Sequence, residues 1–374
     1  MVADISVMVL PPAGGIEEEG KPRFYVFQQG VWRDFSEAGA LSMGLGQSQS
    51  IVQGTLSDVM GQVVVDRKDG GAVSDRYYCL RQKLGSFYEN VVPRELRRLL
   101  NEAADQGDGD DRPILRIHAH SQVDRMPWEI MHDRADFLGL RFQIVRLPIV
   151  HGGPDLDELQ THPVHRIYSL LGKNLVPTGS ESFETWRTTF TRLVADGESV
   201  QYPSGDGAHN DWPSVEKMEE AAGQADIVHV TCHAGLKGGA VWTLDDKAHL
   251  SSEHDITVDV IRWLSFEPTK PLVFGNACAS AGGEDLGGGA ITFGEAFFSK
   301  GVLAFVGTLA PVTYHLAVDF ASQFYRRLLS GGLPIGKALW ATKRHYHDAQ
   351  ENDPSWLFYC LYGLPDTSFS LPNG

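Results

Sequence analysis

Two side chains in this sequence are of the types that together make a reactive thiol. Each follows a short apolar run. Pro271 to Ser280 reads PLVFGNACAS, in which Leu272, Val273 and Phe274 form a run of the kind buried in a parallel sheet. Gly275, Asn276 and Ala277 end that run, and Cys278 stands where a strand gives way to a loop. Asp226 to Gly235 reads DIVHVTCHAG and sets His233 at the corresponding place, 45 residues upstream. The thiolate, not the thiol, is the nucleophile, and an imidazole beside it raises the thiolate fraction. Reactive groups in open α/β sheets gather outside the carboxyl ends of strands. Two strands ending in His233 and Cys278, joined by one crossover, would therefore form a candidate dyad. A small buried thiol remains the alternative for Cys278, because free cysteine is among the most buried residue types.

Other clusters are weaker. His229 shares a strand face with His233, which raises a metal pair, but Cys232 points to the opposite face and no zinc is expected. His118 and His120 are expected on one strand face, without a third ligand. Gly15 to Lys21, GIEEEGK, matches the opening of a phosphate-binding loop. Pro22 replaces the hydroxyl that would hold magnesium, and three glutamates would repel phosphate. Ala281 to Gly289, AGGEDLGGG, lacks the GxGxxG spacing and reads as a loop beside the nucleophile, with glycines for turns of positive φ. The aspartates of Asn101 to Arg112 lack the spacing and terminal glutamate of a calcium loop. No cofactor and no metal are expected.

Bulk properties exclude several classes. The 374 residues carry 32 Lys and Arg against 48 Asp and Glu, a formal charge of −16, which disfavours direct nucleic-acid binding. The four cysteines, Cys79, Cys232, Cys278 and Cys360, form no CxxC pair, so neither a disulfide framework nor a zinc ribbon is indicated. The opening residues lack a cationic n-region, and no apolar run approaches a membrane span. The expectation is a reduced, cytoplasmic protein with no membrane attachment.

The elements needed to position the two residues can be read in order. Residues 1–74 are punctuated by glycine and serine, with strands at Arg23 to Gln28 and Gln62 to Val65, and are expected to form a small β-rich lobe or a mobile arm. Helices follow from Asp75 to Ala104, with Pro93 in the first turn of the second. Strands are expected at Pro113 to His118, Phe142 to Leu147, Val164 to Leu171, Ala240 to Leu244 and Val302 to Val306, besides those ending at His233 and Cys278. Met126 to Asp133, Phe183 to Ala195, Ser214 to Ala222, Val258 to Leu264, Ala290 to Ser299 and Pro334 to His347 read as helices. Leu316, Phe320, Phe324 and Leu328 recur every four residues as a helix stripe ended by Gly331 and Gly332. Alternating strands and helices predict an α/β fold with a doubly wound, mostly parallel sheet flanked by helices.

Several of these stretches resemble a CHAT domain, the caspase-like peptidase family of clan CD related to separases. They are DIVHVTCHAG, LVFGNACAS, FGEAFFSKGVLAFVGTLAPV, FYRRLL and YGLPDTS, with MPWEIMHD and FLGLRFQIVRLP in the N-terminal half. The resemblance covers residues 75–374, an N-terminal half at 75–160 and a catalytic half at 161–374, and leaves 1–74 outside. It implies a caspase-hemoglobinase-like fold, a Cys–His dyad at Cys278 and His233, and an oxyanion held by the backbone N–H groups of Cys278 and Ala234. The family usually has glycine where this chain has Ala234. Asn276 stands where basic-specific relatives carry an acid lining the substrate pocket. Asp226, Glu284 and Asp285 are the other candidate pocket residues, with solvated loop residues as the alternative. The implied activity is a thiol protease cleaving protein substrates. The implied setting is antiviral defence or programmed cell death, with an activating partner in trans such as a TPR sensor, a CRISPR complex or a gasdermin system. Gln201 to Asp211 and Ala281 to Gly289 are candidate sites of autoprocessing. The rival from another class is a non-catalytic interaction module on the same fold.

Overall fold

The computed structural model describes residues 4–11, 22–28, 30–36, 74–107, 109, 111–121, 123–124, 126–149, 161–171, 200–201, 215–236, 240–243, 255–267, 269–277 and 292–371. The chain divides into two compact units, one of residues 1–149 and 343–358, the other of 150–342 and 359–374.

The first unit is built on strands β1 (Ile5–Leu10), β2 (Arg23–Gln28), β3 (Val31–Asp34), β4 (Ile114–Ala119) and β5 (Gln143–Pro148). β1 pairs parallel with β4 and β4 with β5, whereas β1–β2 and β2–β3 are antiparallel. Alternation along β1 buries Ile5, Val7 and Val9. Helix α1 (Ser74–Val91) buries Leu80, Leu84, Phe87 and Val91, and α2 (Arg94–Gln106) buries Leu96, Leu100, Ala103 and Ala104, each a single 3.6-period stripe. Pro93 stands just before α2 as its N-cap. His118 ends in ring contact with Trp32, and β4 stops at Ala119, so His120 falls beyond the strand rather than beside His118.

The stretch Met126 to Asp133 is not the helix expected from its sequence. Only Trp128–Ile130 forms a 3₁₀ turn. The cause lies on β5. Arg146, fully buried, donates to the carbonyls of Asp124 and Met126 and reaches both carboxylate oxygens of Glu129, at 2.8 and 2.6 Å. The Met126 carbonyl also accepts from the Trp128 N–H at 2.9 Å, two residues on rather than the four of a helix ladder. A four-residue helix, α3 (Leu138–Arg141), leads into β5.

The second unit carries β6 (Thr161–Pro163), β7 (Ile167–Leu171), β8 (Val200–Gln201), helix α4 (Val215–Gln224), β9 (Ile227–Leu236), β10 (Ala240–Thr243), β11 (Asp255–Thr257), α5 (Val258–Trp263), β12 (Leu272–Ala277), α6 (Phe293–Ser299), β13 (Ala304–Thr308) and α7 (Tyr314–Tyr325). A π turn at Arg326–Ser330 extends α7 and keeps Leu328 buried at the end of the stripe. Helix α8 (Ile335–Asp348), whose residues from 343 on belong to the first unit, β14 (Tyr359–Gly363) and β15 (Ser368–Ser370) follow. The pairs β7–β8, β7–β9, β9–β12 and β12–β13 are parallel, and β9–β10, β10–β11 and β13–β14 are antiparallel. β6 and β15 form a separate parallel pair. The expected elements at Gln62 to Val65 and Phe183 to Ala195, the phosphate-loop look-alike and the glycine-rich stretch lie outside the described residues.

Helices cover both faces of this sheet. On one face Val228, Val230, Cys232, Val273 and Ala277 pack with Met218 and Ala221 of α4, Ile261 of α5 and Phe293 and Phe297 of α6. Two glycines permit that packing. The Trp242 ring lies over Gly275, where an added Cβ would come within 2.9 Å of the indole, and Gly294 lets α6 approach Tyr362 of β14, with a Cβ at 2.6 Å. On the other face Phe274 meets Phe324 and Tyr325 of α7 at 5.3 and 5.5 Å, and Phe320 stacks on Tyr359 at 3.8 Å. This is the doubly wound, mostly parallel α/β arrangement that the alternating pattern predicts.

Candidate active site

Two neighbouring parallel strands of the second unit, β9 and β12, are the runs that precede the candidate residues or carry them. β12 runs parallel to β9 with Leu272 opposite Ile227 and, at the far end of the ladder, Ala277 opposite Cys232. His233 is the next residue of β9, and Cys278 is the next residue of the chain after Ala277. Apolar residues on both strand faces explain why these strands are central. Cys278, Glu284 and Asp285 lie outside the described residues, as does the side chain of His233. Ala234 is in β9, opposite Trp242 of the antiparallel β10.

Beneath the strand ends, on the α7 face, lies a layer of uncharged polar side chains. The His229 ring is fully buried and stacks on Phe274 at 5.1 Å. Its Nδ1 is 3.0 Å from the Tyr325 hydroxyl and its Nε2 is 2.8 Å from the Thr231 hydroxyl. Burial pushes the imidazole down to about 3, and pushes the Tyr325 phenol well above its ordinary value, so both are neutral at physiological pH. Among the described residues no group of three or more His, Cys, Asp or Glu side chains could hold a metal ion. Cys232 and Cys360 are buried, and the Cys360 thiol donates to the Gly307 carbonyl at 3.6 Å.

Asn276 belongs to this layer too. Its amide donates to the Ala317 carbonyl in the first turn of α7 at 2.9 Å and accepts from the Tyr359 hydroxyl at 2.7 Å. The next residue is held in the same way: the Thr308 hydroxyl, at the end of β13, donates to the Ala277 carbonyl at 2.8 Å. The last two residues of β12 are thus each held by a hydroxyl, Asn276 by that of Tyr359 on β14 and Ala277 by that of Thr308 on the adjacent β13. Sequence reasoning did not find Thr308, Tyr325 or Tyr359. A hydroxyl at the end of the apolar run AFVGT was the available signal, since a buried polar group needs a partner.

Asp226 is not brought to this end. It precedes β9, and its carboxylate accepts from the backbone N–H groups of His165 and Arg166 at 2.7 and 2.9 Å. Seven residues of strand separate it from His233, about 23 Å at the usual rise.

A family model for the CHAT domain matches residues 86–363. The chain belongs to the CHAT family. No curated protein matches it. Among solved structures, this CHAT domain is similar to a chain of the Saccharomyces cerevisiae separase–securin complex. In one crystal structure of that complex the TM-score is 0.62 and the identity 10%, over 96% of this chain and 30% of that one. In another they are 0.61 and 11%, over 98% and 30%. The CHAT chain therefore spans under a third of the length of those chains. It is also similar to the complex of Porphyromonas gingivalis RgpB pro- and mature domains, with a TM-score of 0.50 and 10% identity over 77% of this chain and 72% of that one. At these identities the likeness is one of fold, the caspase-hemoglobinase-like α/β architecture with a β-rich N-terminal region. Among the described residues no helix is long and apolar enough to cross a membrane.

Proposed function

We propose that this CHAT domain is a cysteine endopeptidase that cleaves protein substrates with Cys278 as nucleophile and His233 as its acid–base partner. The observation that supports the reading is the β9–β12 register. The ladder ends with Ala277 opposite Cys232, and Cys278 and His233 are the residues that follow these two in the sequence. In the reaction the Cys278 thiolate attacks the scissile carbonyl, and the backbone N–H groups of Cys278 and Ala234 receive the oxyanion. His233 delivers a proton to the departing amine, and water then hydrolyses the thioester to release the acid and restore the thiol. Asn276 takes no part in the pocket on this reading, because its amide is occupied on both sides. Activation by a partner protein in a defence or cell-death system rests on the family resemblance alone.

Labelling with an electrophilic peptide probe tests the reading, with wild type beside Cys278→Ala and His233→Ala and with co-encoded neighbour proteins added and withheld. Labelling that maps to Cys278, and new N-termini in a host proteome that vanish in Cys278→Ala, is the expected result. Function intact in Cys278→Ala would make the chain an interaction module instead.

A further inference from the structure

The first unit holds a cavity of about 370 Å³ where the end of α2, the residue before β4, the turn into α3, α3 itself and the last turns of α8 meet. Small-molecule sites run from about 300 to 1,000 Å³. Five charged side chains line this one, Asp105, Arg112, Asp136, Arg141 and Arg344, with Leu140 among its apolar part. They fall into two sets. Arg141 is taken up by the protein: it donates to the Asn101 side chain at 3.2 Å and to the carboxylates of Asp133 and Asp105. The other three are not. A guanidinium carries five N–H donors. Arg112 spends one of them on the Gly107 carbonyl at 3.3 Å, and its buried Nε has no partner. Arg344 spends its Nε–H on Asp348 at 2.9 Å, which leaves its two terminal nitrogens. Asp136 accepts the Phe137 N–H on one oxygen at 2.8 Å, while its other oxygen stands 3.8 Å from His347 Nε2.

Donors of two guanidinium groups and one carboxylate oxygen therefore border a single cavity without protein partners. A guanidinium fork matches a carboxylate, and a carboxylate oxygen matches an ammonium group. A simple anion in this cavity would meet Asp136 as well as the arginines, and a simple cation would meet Arg112 and Arg344. A ligand that carries both charges meets each wall with its opposite. We propose that the cavity binds a small zwitterion, of the class of free amino acids and short peptides, with its carboxylate on Arg112 and Arg344 and its ammonium group on Asp136. The site lies wholly within the first unit, and the proposal rests on no part of the peptidase reading.

Calorimetric titration of the full chain tests it with four probes. Diglycine carries both charges, N-acetylglycine the carboxylate alone, glycinamide the ammonium alone, and inorganic phosphate serves as a plain anion. Each is titrated into wild type, Cys278→Ala, Arg344→Gln and Asp136→Asn, with folding checked by circular dichroism. Arg344→Gln gives up only a surface pair with Asp348, and Asp136→Asn keeps an oxygen for the Phe137 N–H, so both are expected to fold. Diglycine should bind wild type and Cys278→Ala alike, and about tenfold more tightly than any of the other three probes. Arg344→Gln and Asp136→Asn should each weaken it by about tenfold or more, the loss of one hydrogen bond to a charged group. Diglycine binding unchanged in both variants would put it elsewhere and overturn the proposal. Phosphate or N-acetylglycine bound as tightly as diglycine would make the cavity a plain anion site and overturn it too. So would the absence of diglycine binding up to about 10 mM, an affinity too weak for a built site.

Discussion

His229 offers a test of the buried polar layer that does not depend on catalysis. Its imidazole is held neutral by burial alone, with a folded pKa of about 3, whereas an unfolded histidine titrates near 6.5. Below pH 6.5 the unfolded chain therefore binds a proton that the folded chain does not, and stability falls as the pH falls until about pH 3. Each pH unit in that window costs up to about 1.4 kcal/mol, so the loss is about 2 kcal/mol from pH 6.5 to 5 and about 5 kcal/mol in all. His229→Gln keeps polar atoms near the Tyr325 and Thr231 hydroxyls but does not titrate. The variant should be less stable than wild type at pH 7.5, and the gap should close as the pH falls. For a unit of this size, 2 kcal/mol corresponds to about 4–8 °C in melting temperature. Thermal unfolding of both proteins at half-unit steps from pH 7.5 to 5 measures the change, and the difference between them removes the titration of the many acidic side chains. Melting curves that stay parallel over that range would refute the reasoning, since the imidazole would then be titrating alike in both states.

Three further outcomes are expected. Glu129→Ala leaves the buried Arg146 guanidinium without its bidentate partner and should destabilise the first unit by about 3–5 kcal/mol, read by chemical denaturation. Gly275→Ala drives a methyl against the Trp242 ring and should cost about 1–3 kcal/mol; Trp242→Phe in the same chain should recover part of it, a non-additivity that a double-mutant cycle measures. Asn276→Asp replaces the amide that donates to the Ala317 carbonyl with a carboxylate that cannot, so it should cost about 1–3 kcal/mol and create no preference for Arg or Lys in a peptide-library cleavage assay.

The two strands bearing the candidate dyad were legible because they are buried on both faces and so read as unbroken apolar runs. Adjacency was not legible. Nothing in a spacing of 45 residues states that Ala277 pairs with Cys232, because register is set by packing against α4 to α7. MPWEIMHD shows the converse. Its local pattern suits a helix, yet the Met126 carbonyl is taken by Arg146, twenty residues on. Asn276 is a pocket candidate only through the position that basic-specific relatives fill with an acid, but its neighbours in space are Ala317 and Tyr359, far along the sequence.

The composition of that hidden layer bears on the chemistry proposed above. His229, Thr231, Asn276, Thr308, Tyr325 and Tyr359 carry no charge at neutral pH, yet they tie the end of β12 to β13, β14 and α7 and link β9 to α7. Hydrogen bonds at low dielectric hold direction firmly, while fixed charges there would shift the ionisation of any nearby thiol. A neutral anchoring layer therefore sets geometry without setting protonation. The division of labour that follows is specific: substitutions within the layer should change how fast an acyl group is transferred, and the pH at which the thiol becomes reactive should move only with His233. A pH–alkylation profile of Cys278 that shifts in Thr308→Val or Tyr359→Phe as far as it does in His233→Ala would contradict that division.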